Sequence, residues 1–364
     1  MSAVQGEVRS EPDMIDGPWM TEVLATAGVA RGATVTAVEL VEFVGTGQVG
    51  RNARLRLTWD DPDGRPATVV GKFASDDPAA RANAFESGTY RNEWEFYTQL
   101  APTLRVRTPL CHTARYDETA PAFVLIMEDL HASRQGDQFA GLTVDEAALA
   151  VEQAVGLHAP RWGDPTLAQF APHRPRDEEG AMHLGTIYQM MIEPCLARLG
   201  PGLDADVIQL VHDLGPHATT WALSTDTPRT AVHLDFRPDN FMFGATPEAP
   251  PLVVVDWQTV NPRGNAMWDL AYMIGGSFLP AQRAQVERAL LDDYLARMAA
   301  AGVTYDADTC WRDYRLGTMW GVVMSVIATV LAAQTERGDA MLTVMAERAG
   351  RHALDLDALE LLVP

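Results

Sequence analysis

The sequence predicts an α+β fold in two lobes, an N-terminal antiparallel sheet with one main helix followed by a larger, mostly helical part. Three observations carry this. Between Thr36 and Phe73, strand-like stretches alternate with turn-forming residues. From Val144 onward, apolar residues recur mostly at helical spacing. A short β-rich stretch, Ala231 to Asp256, interrupts that helical region. The lobes divide into 1–30 (a tail and lead-in helix), 31–130 (the sheet lobe) and 131–364 (the helical lobe).

Thr36 to Val44 reads as a strand and runs into Gly45-Thr46-Gly47-Gln48-Val49-Gly50, a G-x-G-x-x-G pattern. In a dinucleotide fold these glycines would open a helix. Here Asn52 to Trp59 alternates with period two and continues as a strand. Strand, glycine turn, strand suits a loop that covers phosphates, because backbone without Cβ can approach their oxygens. An ordinary glycine hairpin is the plainer alternative. After the turn Asp60 to Arg65, Ala67 to Phe73 is a strand that carries Lys72, placed to meet nucleotide phosphates or simply facing solvent. A helix pattern spans Ala79 to Leu100, and within it Glu93 is chosen as the lysine's partner over Glu86 and Glu95. Phe123 to Met127 is a buried strand that leads into Glu128-Asp129-Leu130. Backbone groups of Glu128 and Leu130 could bond an adenine edge, although a solvated turn explains the same residues.

Helices are predicted over Val144–His158, Ala181–Leu199, Asp204–Leu223, Pro280–Ala301, Asp308–Gln334 and Arg337–Leu362. Leu316 to Gln334 lacks charges, but Thr318, Gly321, Ser325, Thr329 and Gln334 interrupt it, so it reads as a buried helix rather than a membrane span. His158 and His183 sit among apolar neighbours and read as packed helix histidines. Asp177-Glu178-Glu179 reads as a solvated loop.

The chemistry concentrates at 233–240, His-Leu-Asp-Phe-Arg-Pro-Asp-Asn, followed sixteen positions after Asn240 by Asp256 at the end of the strand Leu252–Val255. A turn between strands could produce the same Asp, Pro and Asn. The spacing is also that of phosphoryl transfer. Asp235 can orient a substrate hydroxyl and accept its proton, while Asn240 and Asp256 can hold Mg²⁺ on a nucleotide's phosphates. Arg237 has two roles open to it, offsetting developing charge or bridging within the loop. A hairpin through Phe241–Phe243 and Leu252–Val255 would return Asp256 toward that loop.

Five stretches resemble a known group: HLDFRPDN at 233–240, VVVDWQTV at 253–260, NAMWDLAYMIGGS at 265–277, YRNEWEFYTQLAP at 90–102 and GLHAPRWGDP at 156–165. Over roughly residues 30 to 340 the chain resembles the aminoglycoside phosphotransferase and choline kinase-like superfamily, most of all its ecdysteroid-kinase-like branch. The resemblance implies a protein kinase-like fold and an ATP- and Mg²⁺-dependent transfer of the γ-phosphate to a small hydroxylated molecule. It implies Asp235 as base, Asn240 and Asp256 as metal ligands, Lys72 with Glu93 on the phosphates, and Asp269 bracing the loop from a helix. Many relatives have glycine after the motif histidine, where this chain has Leu234. That departure keeps open a catalytically inactive, nucleotide-binding regulator.

Composition narrows the partners. A net charge of −21 with no basic patch argues against nucleic acid and fits general solubility or a cationic acceptor. Three distant cysteines, Cys111, Cys195 and Cys310, suggest a reducing cytoplasm. A metallohydrolase built on His233, Asp235 and Asp256 would need more ligands than the neighbouring sequence offers. An acceptor pocket is expected from helices near 181–225 and 305–335, where Tyr188, Met190, Met191, Trp221, Trp311, Trp320 and Met324 fit either an apolar acceptor or core packing. Oligomeric state is not legible.

Overall fold

A computed structural model describes residues 7–45, 49–170, 177–224, 227–331 and 334–362. The chain forms two compact units. One comprises Met1–Pro102, Thr108–Ala132 and Asp256–Thr259; the other comprises Thr103–Arg107, Ser133–Val255 and Val260–Pro364.

The first unit is built on an antiparallel sheet of β1 (Val35–Val44), β2 (Gly50–Trp59), β3 (Thr68–Ala74), β4 (Cys111–Tyr116) and β5 (Phe123–Glu128), in the order β1-β2-β3-β5-β4. The alternation read in β2 is real: Ala53, Leu55, Leu57 and Trp59 are buried, whereas Arg54 and Arg56 are not. Helix α1 (Gly17–Thr26) is capped by Asp16, whose carboxylate accepts the Trp19 N–H at 2.9 Å. It lays Trp19, Met20, Val23 and Leu24 on the sheet face formed by Leu55, Val69, Phe73 and Ile126.

The helix predicted over Ala79–Leu100 is broken. It runs as α2 (Pro78–Glu86), stops at Gly88 with φ +74, resumes as α3 (Thr89–Glu95) and ends in a π turn, Phe96–Leu100. Glycine takes that left-handed conformation without a Cβ penalty, so apolar spacing carried the pattern across a real break.

The second unit holds small sheets and a helical array. Strands β6 (Ser133–Gln135), β8 (Phe241–Gly244) and β9 (Leu252–Val254) form one sheet; β7 (Thr230–Val232) and β10 (Asn261–Gly264) form another. The hairpin expected from the sequence is β8–β9, with Phe241 opposite Val254. β4, β6 and β10 were not anticipated; β6 and β10 are short, and none alternates cleanly between buried and exposed positions.

Helix α4 (Val144–His158) has the predicted bounds because Thr143 and Glu146 form a reciprocal capping box. Helix α5 (Asp177–Leu199) begins at the acidic cluster, so Glu178 and Glu179 are solvated helix residues rather than a loop. The predicted Asp204–Leu223 helix is divided at Gly215-Pro216 into α6 (Ala205–Leu214) and α7 (Ala218–Ala222). Helices α8 (Ala266–Ser277), α9 (Pro280–Ala300), α10 (Ala307–Leu331) and α11 (Glu336–Asp355) complete the array. The predicted uncharged stretch lies in α10 as far as Leu331, with Leu316, Met319, Val323 and Val326 buried; 332–333 fall outside the described residues and Gln334 is not helical, and among the described residues no helix is long and apolar enough to cross a membrane. Tyr188, Trp221 and Trp320 are core residues, while Met190 is 67% exposed.

Close approach of α8, α10 and α11 depends on small residues. A Cβ on Gly317 would stand 2.6 Å from the Met267 carbonyl oxygen, and one on Gly321 would stand 2.8 Å from Ala349 Cβ. Gly317→Ala should therefore destabilise the protein by about 1–3 kcal/mol in urea unfolding, since backbone must move. His352, 1% exposed, lies 3.3 Å from Glu287 and against Tyr314. Burial pushes its imidazole down to about 4, so the neutral ring is the folded form. Its contribution to stability is complete above the ordinary histidine value near 6.5 and is lost as pH falls to about 4. Wild type should lose on the order of 3 kcal/mol more than His352→Gln across that window, measured by denaturant unfolding at each pH.

Candidate active site

In the second unit, the loop His233–Asn240 links β7 to β8 and is organised by one buried carboxylate. Asp269, on α8, accepts the His233 N–H at 2.7 Å and the Leu234 N–H at 2.8 Å, and lies 3.2 Å from His158 Nε2. His158 is wholly buried at the end of α4, as read from the sequence, and also meets Tyr294 Oη at 3.0 Å, so it serves as a polar strut. His183 is exposed, contrary to its apolar sequence surroundings, because it lies on the outer side of α5.

Leu234 has φ +67. An L-residue there costs about 1–3 kcal/mol, and glycine would not pay it. The conformation is retained because Asp269 takes its N–H, Trp320 Nε1 donates to its carbonyl at 2.9 Å, and its side chain is buried in the helical core. Leucine is thus held here in the left-handed region that favours glycine. Trp320 is held in turn by stacking on Trp268, which stacks on Trp221, with a centroid spacing of 4.8 Å at each step.

The His233 ring caps the loop from inside. Its Nδ1 accepts the Asp235 N–H at 3.2 Å and its Nε2 lies 3.0 Å from the Val255 carbonyl oxygen, which makes Nε2 the donor. Asp235 is surrounded by donors: Arg237 Nε at 2.9 Å and Tyr272 Oη at 3.4 Å on Oδ1, and Asn240 Nδ2 at 2.8 Å on Oδ2. Arg237 continues to Asp239 at 2.6 Å, and Asp239 accepts the Gln138 N–H. Of the two roles open to Arg237, these bonds display the bridge within the loop. Burial opposes its charge, but Asp235 and Asp239 outweigh that and hold the guanidinium above its ordinary range. Burial first, then Asp235, raises the Tyr272 phenol, so it stays protonated as a donor. Asn240 spends its amide nitrogen on Asp235, which leaves its oxygen Oδ1 outside these bonds. Val255 N–H donates to the Asn240 carbonyl at 3.0 Å, and Asp256 is the next residue.

In the first unit, Lys72 Nζ lies 2.7 Å from Glu93 and 2.8 Å from Asp256. Glu93, not Glu86 or Glu95, reaches it; Glu86 is exposed and Glu95 pairs with Arg91. Burial opposes the ammonium, yet Asp256 and Glu93 together keep Lys72 above its usual range and charged. Burial raises Glu93, against the pull of Lys72. Asp256 has φ +66 and its second oxygen meets Gln258 Nε2 at 3.3 Å. Helix α3 secures this segment as well: Asn92 Nδ2 donates to the Gln258 carbonyl at 3.1 Å, and Phe96 beyond it stacks on Trp257 at 4.0 Å. The Trp257 that follows the acidic residue thus has a packing partner in the Glu93 element.

Of the predicted glycines, Gly45 has φ +78 and Gly50 begins β2; Gly47 lies outside the described residues. A Cβ on Gly50 would stand 2.9 Å from the Phe73 carbonyl oxygen and 3.6 Å from Lys72 Cε. Glu128 closes β5, with its N–H on the Leu110 carbonyl and its carboxylate on the Leu110 N–H at 2.7 Å; Leu130 follows, half-buried. Asp129 is not a solvated turn residue, since it binds Arg54 at 2.8 Å and the Thr68 hydroxyl at 2.7 Å. The structure thus groups Lys72, Glu93 and Asp256 in one unit and Asp235, Arg237 and Asn240 in the other. Tyr272 and Gln138 were missed from the sequence. Tyr272 could have been found from its position one helical turn after Asp269, on the same face of α8; Gln138 acts through its backbone and carries no side-chain signal.

The oxygen donors Asn240 Oδ1 and the Asp256 carboxylate match the hard ligands that Mg²⁺ takes. Among the described residues no group of three or more His, Cys, Asp and Glu could hold a metal ion.

No curated protein sequence matches this chain. Solved structures similar to it include a provisionally assigned aminoglycoside phosphotransferase from Ralstonia eutropha, at 19% identity and TM-score 0.51, over 92% of this chain and 98% of that one. Aminoglycoside 2′-phosphotransferase-IIIa in its GDP complex is similar at 14% identity and TM-score 0.53, over 91% and 97%. An ethanolamine kinase from Plasmodium vivax is similar at 10% identity and TM-score 0.54, over 86% and 81%. These likenesses establish a protein kinase-like α+β fold; the finer likeness to the ecdysteroid-kinase-like branch rests on the motifs alone. The profile of the phosphotransferase enzyme family, APH, matches residues 52–301, and the chain belongs to that family.

Proposed function

We propose that the protein is an ATP- and Mg²⁺-dependent phosphotransferase that moves the γ-phosphate to a hydroxyl of a small molecule in the cytoplasm. The observation that carries this is the state of Asp235, a carboxylate held by Arg237, Tyr272 and Asn240 on a loop whose backbone is braced by Asp269. In this role Asp235 orients the acceptor hydroxyl and takes its proton as the new O–P bond forms, with ADP as the leaving group. Lys72, held by Glu93, bonds the phosphate oxygens, and the turn Gly45–Gly50 covers them. Asn240 and Asp256 would hold Mg²⁺, which when bound offsets charge on the phosphates. Glu128 and Leu130 supply backbone groups for the adenine edge, and Arg237 acts by holding Asp235. The lobes implied are 31–130 for the nucleotide and 131–364 for catalysis and acceptor.

A small hydroxylated acceptor agrees with family membership and with similar structures named for aminoglycosides and ethanolamine, compounds that carry hydroxyl groups. The inactive-regulator alternative is not favoured: its one hint is Leu234, and Lys72, Glu93, Asp235, Asn240 and Asp256 are all present.

Two measurements test this. Asp235→Ala and Asp256→Ala should fold with wild-type circular dichroism and lose at least about 100-fold in ATP-dependent turnover, found by screening ADP release against hydroxylated amines, aminoglycosides, sterols and sugars. Near-wild-type turnover in Asp235→Ala refutes the assignment. Asp269→Asn, which removes a charge that accepts two loop N–H groups, should lower stability by about 2–3 kcal/mol and depress kcat more than nucleotide KM.

A further inference from the structure

The return limb of the glycine turn, Val49-Gly50-Arg51, is fastened from two directions by residues that the mechanism above does not use. From within the unit, Tyr90 Oη donates to the Val49 carbonyl at 2.7 Å and accepts the Ser75 N–H at 3.0 Å. The ring is 2% exposed and stacks on Phe123 at 5.2 Å, so the hydroxyl has little freedom to leave. Tyr90 precedes Glu93 by three residues on α3. The helix that holds the Lys72 partner therefore also holds the glycine limb.

From the N-terminal side, the Glu11 carboxylate bridges Arg51 and Arg81, the latter at 2.6 Å. Arg81 Nε in turn donates to the Ser75 carbonyl at 2.5 Å, so Ser75 is gripped by both fastenings. The segment that carries Glu11 is itself anchored: Arg9 pairs with Asp16 at 2.8 Å and lies over the Trp19 ring, and Arg115 donates to the Glu7 carbonyl at 3.0 Å. Between the two fastened residues, Gly50 pairs with Ala74 and lies beside the Lys72 stem.

We propose that Tyr90 and Glu11 are positioning residues that set nucleotide affinity by immobilising Val49–Arg51, so that the N-terminal segment tunes phosphate binding without touching the phosphates. This rests on the phosphotransferase reading and deepens it. A limb already held in place loses less conformational freedom when phosphate binds, and each lost fastening returns that cost to the binding step.

Tyr90→Phe and Glu11→Gln, both in the full chain, test it. Each should raise the Kd and KM for Mg-ATP about five- to tenfold, with kcat and acceptor KM within about twofold of wild type. Amide exchange at 49–51 should quicken in both. A role in general stability alone would move kcat and both KM values together with the melting temperature, and that result overturns the proposal. So does Mg-ATP affinity within twofold of wild type in both variants, or unchanged exchange at 49–51. A wild-type chain with no nucleotide affinity overturns the phosphotransferase reading and the affinity claim with it, whereas equal wild-type and variant affinities overturn this inference alone.

Discussion

The buried Asp269 carboxylate is the interaction on which the second unit's chemistry depends. Removing a charge from water is costly, and here two backbone N–H groups and the His158 ring meet it. In return it fixes two consecutive peptide groups at the start of the loop. That is what allows Leu234 to stay in the left-handed region, and what aims the following residue, Asp235, toward Arg237 and Asn240. The tryptophan stack extends the same constraint into the core, since Trp320 bonds the Leu234 carbonyl while packing on Trp268 of the Asp269 helix. The polar loop and the apolar core of this unit are therefore a single mechanical object.

The first unit solves a related problem with a different balance. Lys72 is buried with two carboxylates, and an unpaired charge there would be strongly unfavourable. α3 and the π turn that follows it bring three contacts to bear: Glu93 on Lys72, Asn92 on the Gln258 carbonyl, and Phe96 on Trp257. The break at Gly88 is what gives this helix its own direction, independent of α2. A continuous helix from 79 to 100 would have held Tyr90 and Glu93 at an orientation dictated by the preceding turns.

Legibility in the sequence followed how local the deciding forces were. β2, the β8–β9 hairpin and α4 could be read because alternation, turn residues and a capping box act within a few positions. β6 and β10 were missed because they exist through partners distant in the chain: Arg134 pairs with Phe243, and Asn261 with Val232. β4 pairs with the adjacent β5, but its residues do not alternate between buried and exposed, so it carries no strand pattern. His183 was misjudged since apolar neighbours in sequence do not say which side of a helix faces water. Glu93 was separable from Glu86 and Glu95 by helical phase, although the break at Gly88 changes that phase for Glu86.

By itself, the sequence determined the order of the chemical groups: a glycine turn, a strand lysine, a helical glutamate, the 233–240 loop and an aspartate after a β-branched strand. It could do so because phosphoryl transfer demands particular atoms at spacings a short loop or hairpin preserves. Only the tertiary structure decided that Leu234 adopts a glycine-like backbone, that Arg237 is spent on Asp235 and Asp239, and that Tyr90 and Glu11 hold Val49–Arg51. Each of those outcomes depends on a donor or acceptor supplied from elsewhere in the fold or on the side-chain geometry of a turn, and a linear pattern carries no record of which orphaned group a distant residue will satisfy.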